Sequence, residues 1–131
     1  MNSFKELEVW QKAIDLTMDI YQVTEKFPKK EQFVLCSQLN RCVISIPSNI
    51  AEGWGRGSIK DYIRFLTIAK ASSMELDTQL IIAQKLGYIS ENMYDNLENK
   101  VKSILMMLNK LITFSIHKHN VRLHFFYAES P

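Results

Sequence analysis

The stretch Tyr62–Ala83, YIRFLTIAKASSMELDTQLIIA, decides the fold. Within it Tyr62, Leu66, Ala69, Ser73, Leu76, Leu80 and Ala83 recur at alternating steps of four and three. That spacing draws one narrow stripe along a helix, the seam of a coiled coil or a helix bundle. No glycine or proline interrupts it. Ser58-Ile59-Lys60-Asp61 has the form of a capping box with the shorter acid, and Gly87 is a natural left-handed stop. One long helix is therefore expected between them, and a single stripe of this kind needs partners.

The flanking sequence supplies them. Downstream, Ser90 opens a helix whose seam is Leu97, Val101, Ile104, Leu108 and Leu111, widened by Tyr94, Leu105 and Ile112. Upstream, a helix from about Glu31 carries Leu35, Leu39, Cys42, Val43, Ile46 and Ile50, with Pro47 inside the stripe. The apolar spacing continues past that proline, which predicts a kink and not a stop. Gly53, Gly55 and Gly57 are expected to end the helix and form a loop. The first helix is expected to start at the capping box Ser3-Phe4-Lys5-Glu6. It shows Trp10, Ala13, Ile14, Thr17, Ile20, Tyr21 and Thr24 on one face, and Pro28 ends it. Short connections make consecutive helices antiparallel neighbours. The expected fold is all-α, an antiparallel up-down-up-down four-helix bundle over residues 1–114. From Ser115 the periodicity dissolves, and 115–131 is expected to be a C-terminal tail with His117, His119, His124 and the run Leu123-His124-Phe125-Phe126-Tyr127.

Composition agrees with one ordinary globular domain: 131 residues, 47% hydrophobic, 23% charged and net charge +2. That net charge is too small to make the whole molecule a polyanion binder, so a nucleic-acid role must rest on local clustering. Met1–Glu6 turns charged before any apolar stretch develops, so no signal peptide is expected. The most apolar window, Ser103–Ile116, is broken by Asn109 and Lys110, and no membrane span is expected. Cys36 and Cys42 lie six residues apart on one helix, about 9 Å along its axis and on different faces, so they cannot bridge. Two free thiols suit the cytoplasm. Val9, Leu16, Ile63, Ile68, Ile81 and Ile82 fall outside the stripes, and helices apolar on two faces imply self-association.

Ser45-Ile46-Pro47-Ser48-Asn49-Ile50-Ala51-Glu52-Gly53 is the most distinctive segment. It resembles the signature of the four-helix-bundle proteins encoded in intervening sequences of 23S ribosomal RNA genes. Leu7-Glu8-Val9-Trp10-Gln11-Lys12-Ala13, Phe27-Pro28, Ser37-Gln38-Leu39-Asn40-Arg41, Phe65-Leu66, Glu75-Leu76-Asp77-Thr78-Gln79-Leu80 and Leu86-Gly87-Tyr88 are similar to that family's pattern as well. The likeness spans Phe4 to Ile112. It implies a homopentamer of bundles, and kinship with nucleic-acid-binding accessory variability determinant proteins of diversity-generating retroelements. It supplies no biochemical role, and it does not reach the tail.

Two groups of residues could form sites. Arg41, Ser45, Ser48, Asn49, Glu52 and Glu75 are expected to form a structural polar network around the proline, with Arg41 buried against Glu75 or Glu52. A catalytic carboxylate pair, Glu52 and Glu75, lacks a nucleophile and a histidine in the helical body. The bundle has no Glu-x-x-His repeat, His117 and His119 form only a tail His-x-His, and Gly53–Gly57 lacks the lysine and hydroxyl of a phosphate loop. No enzyme, metal or cofactor is expected. In an up-down bundle the end holding the Gly-rich loop gathers Arg56, Lys60, Arg64, Lys118 and Arg122, with Lys5 and Lys110 nearby, and Trp54 is placed to stack on an unpaired base. Glu6, Glu8 and Asp61 share that end. The reading is a homo-oligomer binding RNA or DNA through its basic end, the alternative an oligomeric scaffold for other proteins.

Overall fold

The computed structural model describes residues 2–128, with side chains through Phe125. Four α-helices account for most of it: α1 (Glu8–Thr24), α2 (Leu35–Gly55), α3 (Ile59–Lys85) and α4 (Glu91–Ala128). Each helix packs on its two neighbours in the cycle α1–α2–α3–α4–α1, and among the described residues no Cα of one helix comes within 8 Å of its diagonal partner's. This is the expected square up-down-up-down bundle. The α2–α3 pairing is the most extensive and the α1–α4 pairing the least.

The Tyr62–Ala83 stripe forms the inner face of α3 as its spacing dictates. Leu66, Ala69, Ser73, Leu76, Leu80 and Ala83 are all fully buried, with Tyr62 partly so. Ser58 caps the helix by accepting a hydrogen bond from the Asp61 amide at 3.1 Å. At the far end Gly87 takes φ +80°. There the Tyr88 amide donates to the Ala83 carbonyl at 2.9 Å and the Gly87 amide to Gln84 at 3.0 Å. That bond pair is a Schellman stop, and it needs a residue at ease in the left-handed region. Ser90 then caps α4 through the Met93 amide at 3.0 Å. Each fully buried Leu or Ile in this seam contributes about 1.5–3 kcal/mol relative to exposure.

The other helices depart from expectation at their ends. Residues Phe4–Glu6 form a 3-10 turn, and Leu7 is extended at φ −68°, ψ 123°, so α1 begins only at Glu8. Its buried face is Val9, Ala13, Leu16, Ile20 and Thr24, rotated from the expected stripe. Val9 and Leu16 are therefore core, and they offer nothing to a second chain. A 3-10 turn at Lys29–Glu31 likewise delays α2 to Leu35. α2 runs through Pro47 as expected, but it also runs through Gly53 and ends at Gly55.

The largest departure is α4. Residues from Ser115 onward are not a structureless tail but continue the helix to Ala128. Ser115 is the last buried position among the described side chains, and the helix continues about 20 Å beyond it at 1.5 Å per residue. The side chains of Phe126 and Tyr127 and all of residues 129–131 lie outside the described residues. No helix among the described residues is long and apolar enough to cross a membrane.

Candidate nucleic-acid interface

The polar cluster near Pro47 forms only in part. Asn49 Nδ2 donates to the Ser45 carbonyl at 2.7 Å and to Ser45 Oγ at 2.9 Å. Ser45 Oγ meets Ser72 Oγ of α3 at 2.9 Å, and the Cys42 thiol donates to the Ser72 carbonyl at 3.0 Å. This is a seam between α2 and α3, tied by Ser72 and Cys42, which the residue pattern does not single out. The Val43 carbonyl, deprived of its helical donor by Pro47, faces Thr17 Oγ1 of α1 at 3.5 Å. The remaining members stand apart. Arg41 and Ser48 are exposed, Glu52 pairs with Arg56 at 2.8 Å, and Glu75 accepts from Gln79 Nε2 at 3.2 Å. Arg41 is thus not buried against either acid, because the outer face of α2 carries it away from the core. Glu52 and Glu75 each engage a residue one turn along their own helix.

The basic end is assembled by the overhang. Lys60 in the first turn of α3 and Arg122 and His119 on α4 line one cleft of about 410 Å³, floored by Gly57, Ser58 and Ile59. An adjoining pocket of about 270 Å³ is lined by Trp54 from α2, Ile59 and Tyr62 from α3, and Phe114 and Lys118 from α4. Ile59 belongs to both. Without the helical continuation past Ser115, Lys118 and Arg122 would have no fixed place beside α3. Among the described residues none of Lys60, Arg64, Lys118 and Arg122 is ion-paired. The N-terminus of α3 adds the positive end of its dipole to the same cleft.

Arg56 and Arg64 occupy the other side of the α2–α3 junction. Each guanidinium carbon stands 4.8 Å from the centroid of Phe65. Arg56 is already held by Glu52, which lowers its value to an incoming anion. Trp54 is half-buried, its ring edge-on to Tyr62 at 6.3 Å, and not the free surface platform expected. A further groove, of about 460 Å³, lies between α1 and α4, where Asp19 and Lys100 pair at 2.6 Å.

Burial sets the acid-base behaviour of two groups here. It pushes the Tyr62 hydroxyl up to about 12 and the Cys42 thiol, beside Ser72, also up to about 12, the latter helped by the Glu75 charge. Both stay protonated in the fold at neutral pH. An unfolded chain gives up these protons first as pH rises from about 9, so stability falls between there and about pH 12. Tyr62 Oη is also buried with no hydrogen-bond partner among the described residues. Tyr62→Phe is accordingly expected to raise stability by about 1 kcal/mol at neutral pH. It should also flatten part of the alkaline decline, both read from urea unfolding at pH 7 and pH 10.5. A loss of stability at pH 7 would show that the hydroxyl is satisfied.

The family model of the 23S rRNA-intervening sequence proteins matches residues 5–110. No curated protein matches. Among solved structures, the chain is similar to a crystal structure from Bacteroides thetaiotaomicron, described as a protein with unknown function from the S23 ribosomal protein family. The TM-score is 0.74 at 26% identity, over 79% of this chain and 97% of that one. The α4 overhang, with Lys118 and Arg122, lies beyond the family match. The bundle, its ordered motifs and the matched span agree that this chain belongs to the 23S rRNA-intervening sequence protein family.

Proposed function

We propose that the protein is a non-catalytic, homo-oligomeric module that holds nucleic acid at the end of the bundle where α2 meets α3. One observation carries this reading. Lys60, His119 and Arg122 converge on a single cleft beside Lys118, with no carboxylate paired to them among the described residues. Phosphate contacts dominate nucleic-acid affinity, and such a cleft offers them in a row. The kinship with nucleic-acid-binding accessory proteins that the resemblance implies supports a polyanion at this end. Binding should weaken steeply with salt, because each neutralised phosphate releases counterions. Affinity that does not change between low and high salt would remove the proposal.

Assembly is supported by the outer face of α3. Ile68, Ile82 and Leu86 share one side of that helix and are all exposed. Glu75 and Gln79 lie between Ile68 and Ile82 on that side, so the exposed apolar side chains form two patches that suit a second copy. The family resemblance implies a pentamer, and a ring would multiply a modest basic cleft through effective concentration. Ile68→Asp with Ile82→Asp is expected to convert the particle to monomer while its helical circular dichroism persists. Light scattering with and without nuclease reports this. A mass that stays oligomeric places the contact elsewhere.

Phe33 and Val34, 85% and 60% exposed at the opposite end, favour a second reading as a protein-binding scaffold. A captured partner that survives nuclease treatment and is lost in Phe33→Ser would support it.

A further inference from the structure

We infer that the pocket between Trp54, Tyr62 and Phe114 receives one unpaired base of a single-stranded RNA whose phosphates lie in the adjoining basic cleft. This rests on the nucleic-acid reading above and names the form of polymer that the site selects.

The lining is almost wholly apolar: Leu7, Trp54, Ile59, Tyr62, Leu111 and Phe114 form it, with Ser115 and Lys118. Its volume of about 270 Å³ falls just below the span of drug-sized pockets and suits a single planar ring system. Three of its walls are aromatic, and bases stack on aromatic faces whatever their sequence. An apolar pocket alone does not name its occupant. The neighbouring charges do so. Lys118 lines the same pocket, and through the shared Ile59 the pocket abuts the cleft that holds Lys60, His119 and Arg122. An apolar slot with cations on one side fits a nucleotide, base inward and phosphate outward. A paired base cannot enter, because it is stacked within its own helix and its ring faces are covered. The arrangement therefore selects loops, bulges and ends over duplex.

The test uses the full chain and three polyanions: a single-stranded oligoribonucleotide, the same strand annealed to its complement, and inorganic polyphosphate, which has no bases. Affinities are read by polarisation or competition. A Trp10→Phe background leaves Trp54 as the reporting indole. The single strand is expected to quench Trp54 emission, while duplex and polyphosphate leave it unchanged. Phe114 is 63% exposed, so Phe114→Ser removes a wall without touching the core. It should weaken the single strand about tenfold, the worth of one stacked base, and leave polyphosphate binding as it was. Equal binding of all three polyanions, unaffected by Phe114→Ser, overturns the pocket but leaves the basic-end reading standing. Binding of none overturns both. If Phe114→Ser changes the oligomeric mass while RNA affinity holds, the pocket is a contact between copies and the inference fails.

Discussion

Gly53→Ala is expected to destabilise the protein by about 1–2 kcal/mol, whereas Gly55→Ala, two residues along the same helix, is expected to stabilise it. Both positions are helical, so alanine should help at each by up to about 1 kcal/mol through backbone entropy. What differs is space. A Cβ on Gly53 would stand 2.8 Å from Phe65 Cβ and 3.2 Å from Tyr62 Cδ1, with the Tyr62 carbonyl at 3.4 Å. Nothing lies within 4 Å of one on Gly55. Relieving the clash means moving α3 off α2, and overpacking of this kind costs about 1–3 kcal/mol, which outweighs the propensity gain. Gly53→Leu should cost more still. Urea midpoints with unchanged slope decide the matter. A Gly53→Ala variant as stable as the parent would mean that the two helices are not held at this separation. The same variant should disturb the pocket, since Tyr62 and Trp54 flank the contact.

Lys60→Glu combined with Arg122→Glu is expected to weaken RNA binding about a hundredfold at about 0.1 M salt, without altering the urea midpoint. Two phosphate contacts are lost and two repulsions gained. The slope of log affinity against log salt should become shallower by about 1.4, at about 0.7 for each phosphate on a single strand. Parallel salt dependences for parent and variant would remove these two residues from the interface. Arg56→Glu should do much less, because Glu52 already holds that guanidinium at 2.8 Å.

The two halves of the chain were legible to different degrees. The α3 stripe needed only its own spacing, because each position that recurs faces the axis of the bundle and few local features compete. The Ser58 and Ser90 caps and the Gly87 stop were readable for the same reason, as each is a short-range bond with a defined donor. α1 misleads because Trp10 is only partly buried, packing on Phe4 at 5.3 Å at the edge of the core. Counting from Trp10 rotates the whole face and turns Val9 and Leu16 outward. Gly53 misleads in another way. Glycine breaks helices by default, yet here its missing side chain lets Phe65 approach, a requirement visible only once α3 is in place.

The basic end could be placed from topology, since Lys60, Arg64 and Arg122 follow from which helix ends meet. Its construction could not. Past Ser115 no residue is buried among the described side chains, so hydrophobic periodicity has nothing to report there, although no glycine or proline interrupts the chain between Ser90 and Ala128. Pattern reads burial, and this segment is helical without being buried. Trp54 reads as a surface residue for the related reason that three glycines around it suggest a loop. The polar seam was half legible: Ser45 and Asn49 belong to it, but their partner Ser72 sits on another helix.

Residues Ile116–Phe125 form a cantilever, anchored at its root, with His119, Arg122 and Leu123 facing Gly57–Lys60 across the cleft. An exposed helix end with few buried contacts opens at lower cost than the body it extends. Yet this arm carries Arg122 and His119 of the cleft, and Lys118 beside it. Any guest that grips them keeps the arm wound, and a wound arm grips harder, so occupancy and helicity rise together as linked equilibria.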